Sequence, residues 1–261
     1  MIAARLGHGL TALGLPVLAG LAFMVWQAAP LAFVAVNAAV LAVSLPIAAF
    51  LPMPTGVRSS TWVAIASLAI FWAATLGGVS QEGVRRWLSV GPITLHAGYL
   101  VLPLLAVLID RLASKWAATA LAFASLAAAL QPDLATDAGL AALTLVSAAR
   151  RRDAVNAAAL VVSAGCLIAA LQVEVRLAPV RFVEFVPQQA WAATPLAGLA
   201  LVAAQLAGLG ALLAKGARAT GLAAFLLGCM AVSWLLPYPS LLIGYGAAPI
   251  LGLGLALAAL R

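Results

Sequence analysis

The stretch Gln81-Glu82-Gly83-Val84-Arg85-Arg86-Trp87-Leu88 gathers two arginines, a glutamate and a tryptophan in a chain that is only 8% charged and 66% hydrophobic. A pair of planar guanidinium groups suits bidentate binding of phosphate or pyrophosphate. The same residues would also serve as an interfacial anchor, the indole in an aromatic belt and the arginines snorkelling to headgroups. A second candidate is Gln131-Pro132-Asp133-Leu134-Ala135-Thr136-Asp137, which sets Asp133 and Asp137 one helical turn apart on one face. Pro132 fits a helix start and the dipole favours a carboxylate there, so Asp133 reads first as a cap. Asp137 lies deeper, where an ionisable group usually faces a cavity or a partner.

The third candidate is Glu184, in Pro179-Val180-Arg181-Phe182-Val183-Glu184-Phe185-Val186. Flanking phenylalanines would desolvate its carboxylate and raise the pKa, while Arg181, one turn back if the segment is helical, would lower it. Such opposed influences suit a general base, and a plain ion pair within the loop is the alternative. His96 has no second His or Cys at metal-ligand spacing and reads as an interfacial hydrogen-bonding residue. No phosphate-binding glycine loop, dinucleotide fingerprint, nucleophile elbow or zinc motif is present.

The elements that must carry these residues are membrane helices. Mean hydropathy is +1.15 over 261 residues, far outside the range of a soluble domain. The apolar runs are rich in Ala and Leu without period-two alternation, which predicts helices and not a barrel. Ten spans are expected in one transmembrane domain covering residues 1–261: 10–27, 31–51, 61–79, 96–109, 116–130, 134–149, 154–173, 191–214, 220–236 and 240–260. The fold class is therefore an all-α polytopic membrane protein. Cys166 and Cys229 fall inside spans and read as core-filling thiols.

The formal charge of +7 has a topological cause and does not point to nucleic acid, because no basic face with interleaved aromatics lies outside the spans. With the N-terminus inside, Arg5, Arg58, Arg111, Lys115, Arg150, Arg151, Arg152, Lys215, Arg218 and Arg261 fall on the cytoplasmic side. Only Arg85, Arg86, Arg176 and Arg181 fall outside, so both termini are expected to be cytoplasmic. The same topology sends the 81–88 island, Gln131-Pro132-Asp133, the loop carrying Glu174, Glu184, Gln188 and Gln189, and Pro237-Tyr238-Pro239 to the extracytoplasmic face.

In order along the chain, these pieces resemble the SEDS (RodA/FtsW) family of polytopic peptidoglycan glycosyltransferases. Gly83-Val84-Arg85-Arg86-Trp87-Leu88, followed by Gly91-Pro92, is similar to that family's G-A-R-R-W-[IL] loop. Gln131 to Thr136 is similar to its Q-P-D-L-G-T motif, and Tyr238 to Ala248 to its L-P-F-[IV]-S-Y-G-G-S turn. Val183-Glu184-Phe185 stands where the family has T-D-F, with glutamate in place of the aspartate proposed as its catalytic base. Leu95-His96-Ala97-Gly98 replaces Q-P-S-E and loses that motif's glutamate.

The resemblance implies glycosyl transfer from an undecaprenyl-pyrophosphate-linked, lipid II-type glycan at the outer face of a bacterial inner (cytoplasmic) membrane. It makes Glu184 the expected catalytic base. The expected substrate-binding set is Arg85, Arg86, Trp87, Asp133, Asp137, Arg181 and Gln188. Asp133 and Glu184 are hard oxygen donors, so a divalent cation is a candidate cofactor. A single-span penicillin-binding protein is the implied partner. The rival expectation is a non-catalytic lipid-glycan-binding or scaffold subunit, favoured by the missing Q-P-S-E glutamate; a transporter is disfavoured by the lack of paired broken helices or a clear inverted repeat.

Overall fold

A computed structural model describes residues 9–91, 93–173 and 178–260. The expectations that fall on Arg5, Pro92, Glu174, Arg176 and Arg261 lie outside the described residues. The apolar runs form α1 (Leu10–Trp26), α2 (Leu31–Phe50), α3 (Val57–Gly77), α4 (Ala97–Leu108), α5 (Ser114–Leu130), α6 (Leu134–Arg151) and α7 (Ala154–Leu171). They continue as α8 (Val186–Ala193), α9 (Pro195–Leu213), α10 (Ala217–Leu235) and α11 (Ala247–Ala259). Helices α2, α3, α7, α9 and α10 are each long and apolar enough to cross a membrane, and α1, α5 and α11 are shorter apolar helices. The protein is a multi-pass membrane protein.

Helix α4 is the centre of the bundle, buried at every position but Leu100 and packed by α3, α10 and α11. Small residues allow the backbones to close up where lipid supplies no hydrophobic drive. A Cβ at Gly228 of α10 would stand 2.5 Å from the Ala138 carbonyl oxygen of α6. Polar side chains tie α5, α6 and α7 together: the Ser163 hydroxyl lies 2.7 Å from that of Ser125 and 3.1 Å from that of Thr144. Cys166 and Cys229 are free and buried.

Three segments depart from the expected pattern. The 81–88 island is not an irregular loop. It is an antiparallel sheet of β1 (Val79–Gln81), β2 (Val84–Val90) and β3 (Ile93–His96), ordered β1-β2-β3. Glu82 and Gly83 both have positive φ, +48° and +85°, as a two-residue hairpin turn requires. Gly78 lets β2 fold back across the end of α3, since a Cβ there would meet the Trp87 carbonyl oxygen at 2.6 Å.

The expected eighth span is broken. Thr194 caps a new helix through the Ala197 N–H, and Pro195 stands at its first position, so the chain kinks between α8 and α9. The expected tenth span starts seven residues late. Residues 237–246 instead form a turn that dips into the bundle before α11.

That turn is non-helical backbone, tolerated in a bundle only where protein satisfies its polar groups. The Asn37 amide of α2 donates to the Gly244 carbonyl at 2.9 Å and accepts from the Gly246 N–H at 3.1 Å. Gln205 donates to the Leu241 carbonyl at 2.7 Å, and Phe33 stacks on Tyr245 at 3.9 Å. Gly20 of α1 makes room for the turn, because a Cβ there would overlap the Ile243 carbonyl.

Candidate functional site

At the end of the bundle where α3 and α5 finish, the sheet, the start of α6, the 178–185 segment and the 237–246 turn converge. Strand alternation separates the two neighbouring arginines. Arg85 faces outward and donates to the Leu76 carbonyl at 3.1 Å, whereas Arg86 is only 3% exposed. Arg86 donates to the Pro132 carbonyl at 3.0 Å, and its guanidinium lies 5.5 Å from the ring centres of both Trp87 and Tyr238.

Asp133 is fully buried beside it, with Oδ1 at 3.9 Å from Arg86 Nη1. It caps α6, accepting from the Thr136 N–H at 3.2 Å and the Thr136 hydroxyl at 2.6 Å. His96 Nδ1 accepts from the Tyr99 N–H, which turns Nε2 to within 3.1 Å of Asp133 Oδ2. Burial opposes ionisation of Asp133, yet Arg86, His96 and Thr136 together hold its carboxyl well below the usual carboxylate range. Asp137 is one turn further in, fully buried, and neither of its carboxylate oxygens has a hydrogen-bond partner.

Glu184 is half-buried in a turn, not a helix, so the expected one-turn pairing with Arg181 does not form. Arg181 instead donates to Gln27 at 3.4 Å and lies over the Phe182 ring. Glu184 Oε2 accepts from the Val180 N–H at 2.7 Å, and its backbone bridges to Pro239 of the turn. The Ser240 N–H donates to the Val183 carbonyl at 2.8 Å, locking the two segments together. Burial pushes the Glu184 carboxyl above the ordinary glutamate range, against the pull of the Val180 N–H, its own N–H and the Arg86 charge.

An open cleft of about 230 Å³ results, lined by Arg86, Trp87, Leu134, Glu184, Tyr238 and Pro239 among others. It pairs a guanidinium able to receive an anion with a carboxylate of raised basicity. Of the expected set, Arg85, Asp133, Asp137, Arg181 and Gln188 do not line it; Asp133 is buried behind Arg86, and Gln188 turns inward and donates to the Trp234 carbonyl. Tyr238 and His96 belong to the site and were not in the expected set. The Pro237-Tyr238-Pro239 bracket was the signal for the first, since two prolines forbid a helix there. His96 gave no such signal, because its acidic neighbour is remote in sequence. Among the described residues no three His, Cys, Asp or Glu side chains form a metal-holding group. Asp133 is already surrounded by donors, so the residues do not fit a resident divalent cation.

No family model and no curated protein matches the chain. Solved structures do. One is a chain from a peptidoglycan synthase complex coordinating polymerization and crosslinking, 18% identical, with a TM-score of 0.63 over 98% of this chain and 97% of that one. A second is the Rod shape determining protein RodA of Thermus thermophilus, 17% identical, with a TM-score of 0.57 over 99% and 93%. An aspartate-to-alanine mutant of that RodA gives 0.59 at 16% identity, over 99% and 94%.

The chain has the RodA fold. Nearly full coverage in both directions means that the sheet, the broken helix pair α8–α9 and the inserted turn all lie within a RodA-like frame.

Proposed function

We propose that the protein is a divergent SEDS-type glycosyltransferase acting on an undecaprenyl-pyrophosphate-linked, lipid II-type glycan. The observation that carries this reading is the convergence of Arg86 and Glu184, distant in sequence, on one cleft at one end of a RodA-like bundle. Glu184 takes the proton from an acceptor sugar hydroxyl as that oxygen attacks the anomeric carbon of the donor. The bond from that carbon to the pyrophosphate breaks, and the leaving oxygen's negative charge develops beside Arg86. Trp87 and Tyr238 hold the guanidinium in place by flanking it.

The basic residues Arg58, Arg111, Lys115, Arg150, Arg151, Arg152, Lys215 and Arg218 lie toward the opposite end of the bundle. By the positive-inside rule that end is cytoplasmic and the cleft is extracytoplasmic, in a bacterial inner membrane. The peptidoglycan synthase complex among the structural neighbours supports a penicillin-binding protein as partner.

The test is incorporation of labelled lipid II into polymer by purified protein, with and without a partner penicillin-binding protein. Wild type should polymerise, Glu184→Gln should lose about 10²–10⁴ in rate, and Arg86→Lys should be impaired because an ammonium cannot reproduce the planar fork. Wild type that binds lipid II but never polymerises it would establish the scaffold reading instead.

A further inference from the structure

A second cavity lies at the other end of the bundle, where α4 and α11 finish and α10 begins. It measures about 410 Å³ and is lined by Thr55, Val107, Asp110, Arg111, Arg218, Ala259 and Leu260. Two guanidinium groups therefore face one space. Among the described residues Asp110 is the only acid lining it, and it is engaged by Arg150, Nη1 to Oδ2 2.9 Å. Arg111 is fixed from behind: Nη1 donates to the Pro54 carbonyl at 2.5 Å and Nη2 to the Ala259 carbonyl at the end of α11. Carbonyl acceptors orient that cation without neutralising it. Burial, and then the charge of Arg218, make the protonated form of Arg111 less favourable than usual. Helix α10 starts beside Arg218 with no side-chain cap and no acid in its first turn, so its N-terminal partial charge adds to the same positive field.

Two like charges held at one cavity are a standing electrostatic cost that an anion would relieve. Threonine at the wall offers a hydroxyl donor, while Val107 and Leu260 supply an apolar side. The position, among helix ends rather than mid-bundle, is where the phosphate layer of a leaflet meets the protein.

We propose that this cavity is a phosphate-binding site, in which Arg111 and Arg218 together take the phosphate of an anionic lipid headgroup or a free phosphate ion. Arg111 is the preorganised half and Arg218 the exposed half that closes on the ligand. The site is independent of the cleft at the opposite end.

The experiment titrates the full-length protein in phosphatidylcholine nanodiscs with added phosphatidylglycerol, and separately in detergent with inorganic phosphate. Wild type is compared with Arg218→Gln and with Arg152→Gln, the latter removing an equal charge at the same end outside the cavity. Arg218 is exposed, so its substitution leaves the fold intact. Affinity should fall about tenfold or more in Arg218→Gln, as the loss of one charge-assisted contact implies, and stay unchanged in Arg152→Gln. A response to phosphatidylglycerol alone assigns the lipid, a response to phosphate alone assigns the free ion, and a response to both assigns the shared group. No binding by wild type to either, or equal losses in the two variants, would overturn the proposal.

Discussion

Arg86 and Asp133 form a buried ion pair, Nη1 to Oδ1 3.9 Å, between a strand of the sheet and the cap of α6. The side chains are 3% and 0% exposed, so the attraction is little screened. The pair joins the motif after α3 to the motif before α6 and thereby fixes one wall of the cleft. Arg86 also lines the cleft, so one guanidinium both holds this pair and faces the open space.

Removing one partner should be costly. Arg86→Ala leaves the buried Asp133 with His96 and Thr136 but without its guanidinium counter-charge, and should destabilise the protein by about 3–5 kcal/mol. Arg85→Ala, outward on the same strand, should change stability by no more than about 0.5 kcal/mol. Denaturation in detergent reads both, and equal effects at the two arginines would contradict the assigned faces of β2.

The pH dependence of stability follows from Asp133. Its folded-state carboxyl is held below its unfolded value, so its contribution is complete above that value, about 3.9, and is lost as pH falls toward the folded one. The thermal midpoint should drop on acidification below about pH 4. Asp133→Asn should start lower and fall less steeply, and parallel curves for the two proteins would argue against the linkage.

Glu184 shifts in the other direction. Its carboxyl is raised, so the basic form is lost on acidification at a higher pH than for an ordinary glutamate, about 4.3. The acid limb of the polymerisation rate should therefore lie above that value. An acid limb at or below it would remove Glu184 from the role of base.

The inserted turn should depend on Asn37. Asn37→Leu leaves the buried Gly244 carbonyl without its partner, at about 1–3 kcal/mol, and also frees the half-buried Gly246 N–H. The turn carries Pro239, which bridges to Glu184, so activity should fall although Asn37 does not line the cleft. Thermal unfolding together with lipid II turnover measures the two effects. Full activity in Asn37→Leu would uncouple the turn from the cleft.

Read alone, the sequence determined the membrane helices, because about 20 apolar residues in a row have few other soluble or lipid-compatible fates. It also marked Arg86, Asp133 and Glu184, since charge in so apolar a chain needs a reason, and it placed Asp133 as a cap from Pro132 and the helix start. What it left open depended on partners remote in the chain. Adjacent arginines became separate only when strand geometry put Arg85 and Arg86 on opposite faces. Arg181 looked like the neighbour of Glu184 by spacing, yet the turn at 180–185 gave it to Gln27 and left Arg86 to act on the carboxylate. Hydropathy hid the interruption before α11, because Ser240 to Gly246 is as apolar as a span, although Tyr238 to Ala248 resembled a family turn. Only the hydrogen bonds from Asn37 and Gln205, and the space left by Gly20, make a non-helical path stable there. Local periodicity decides which segments enter the bilayer, whereas burial and long-range pairing decide which polar groups meet inside it.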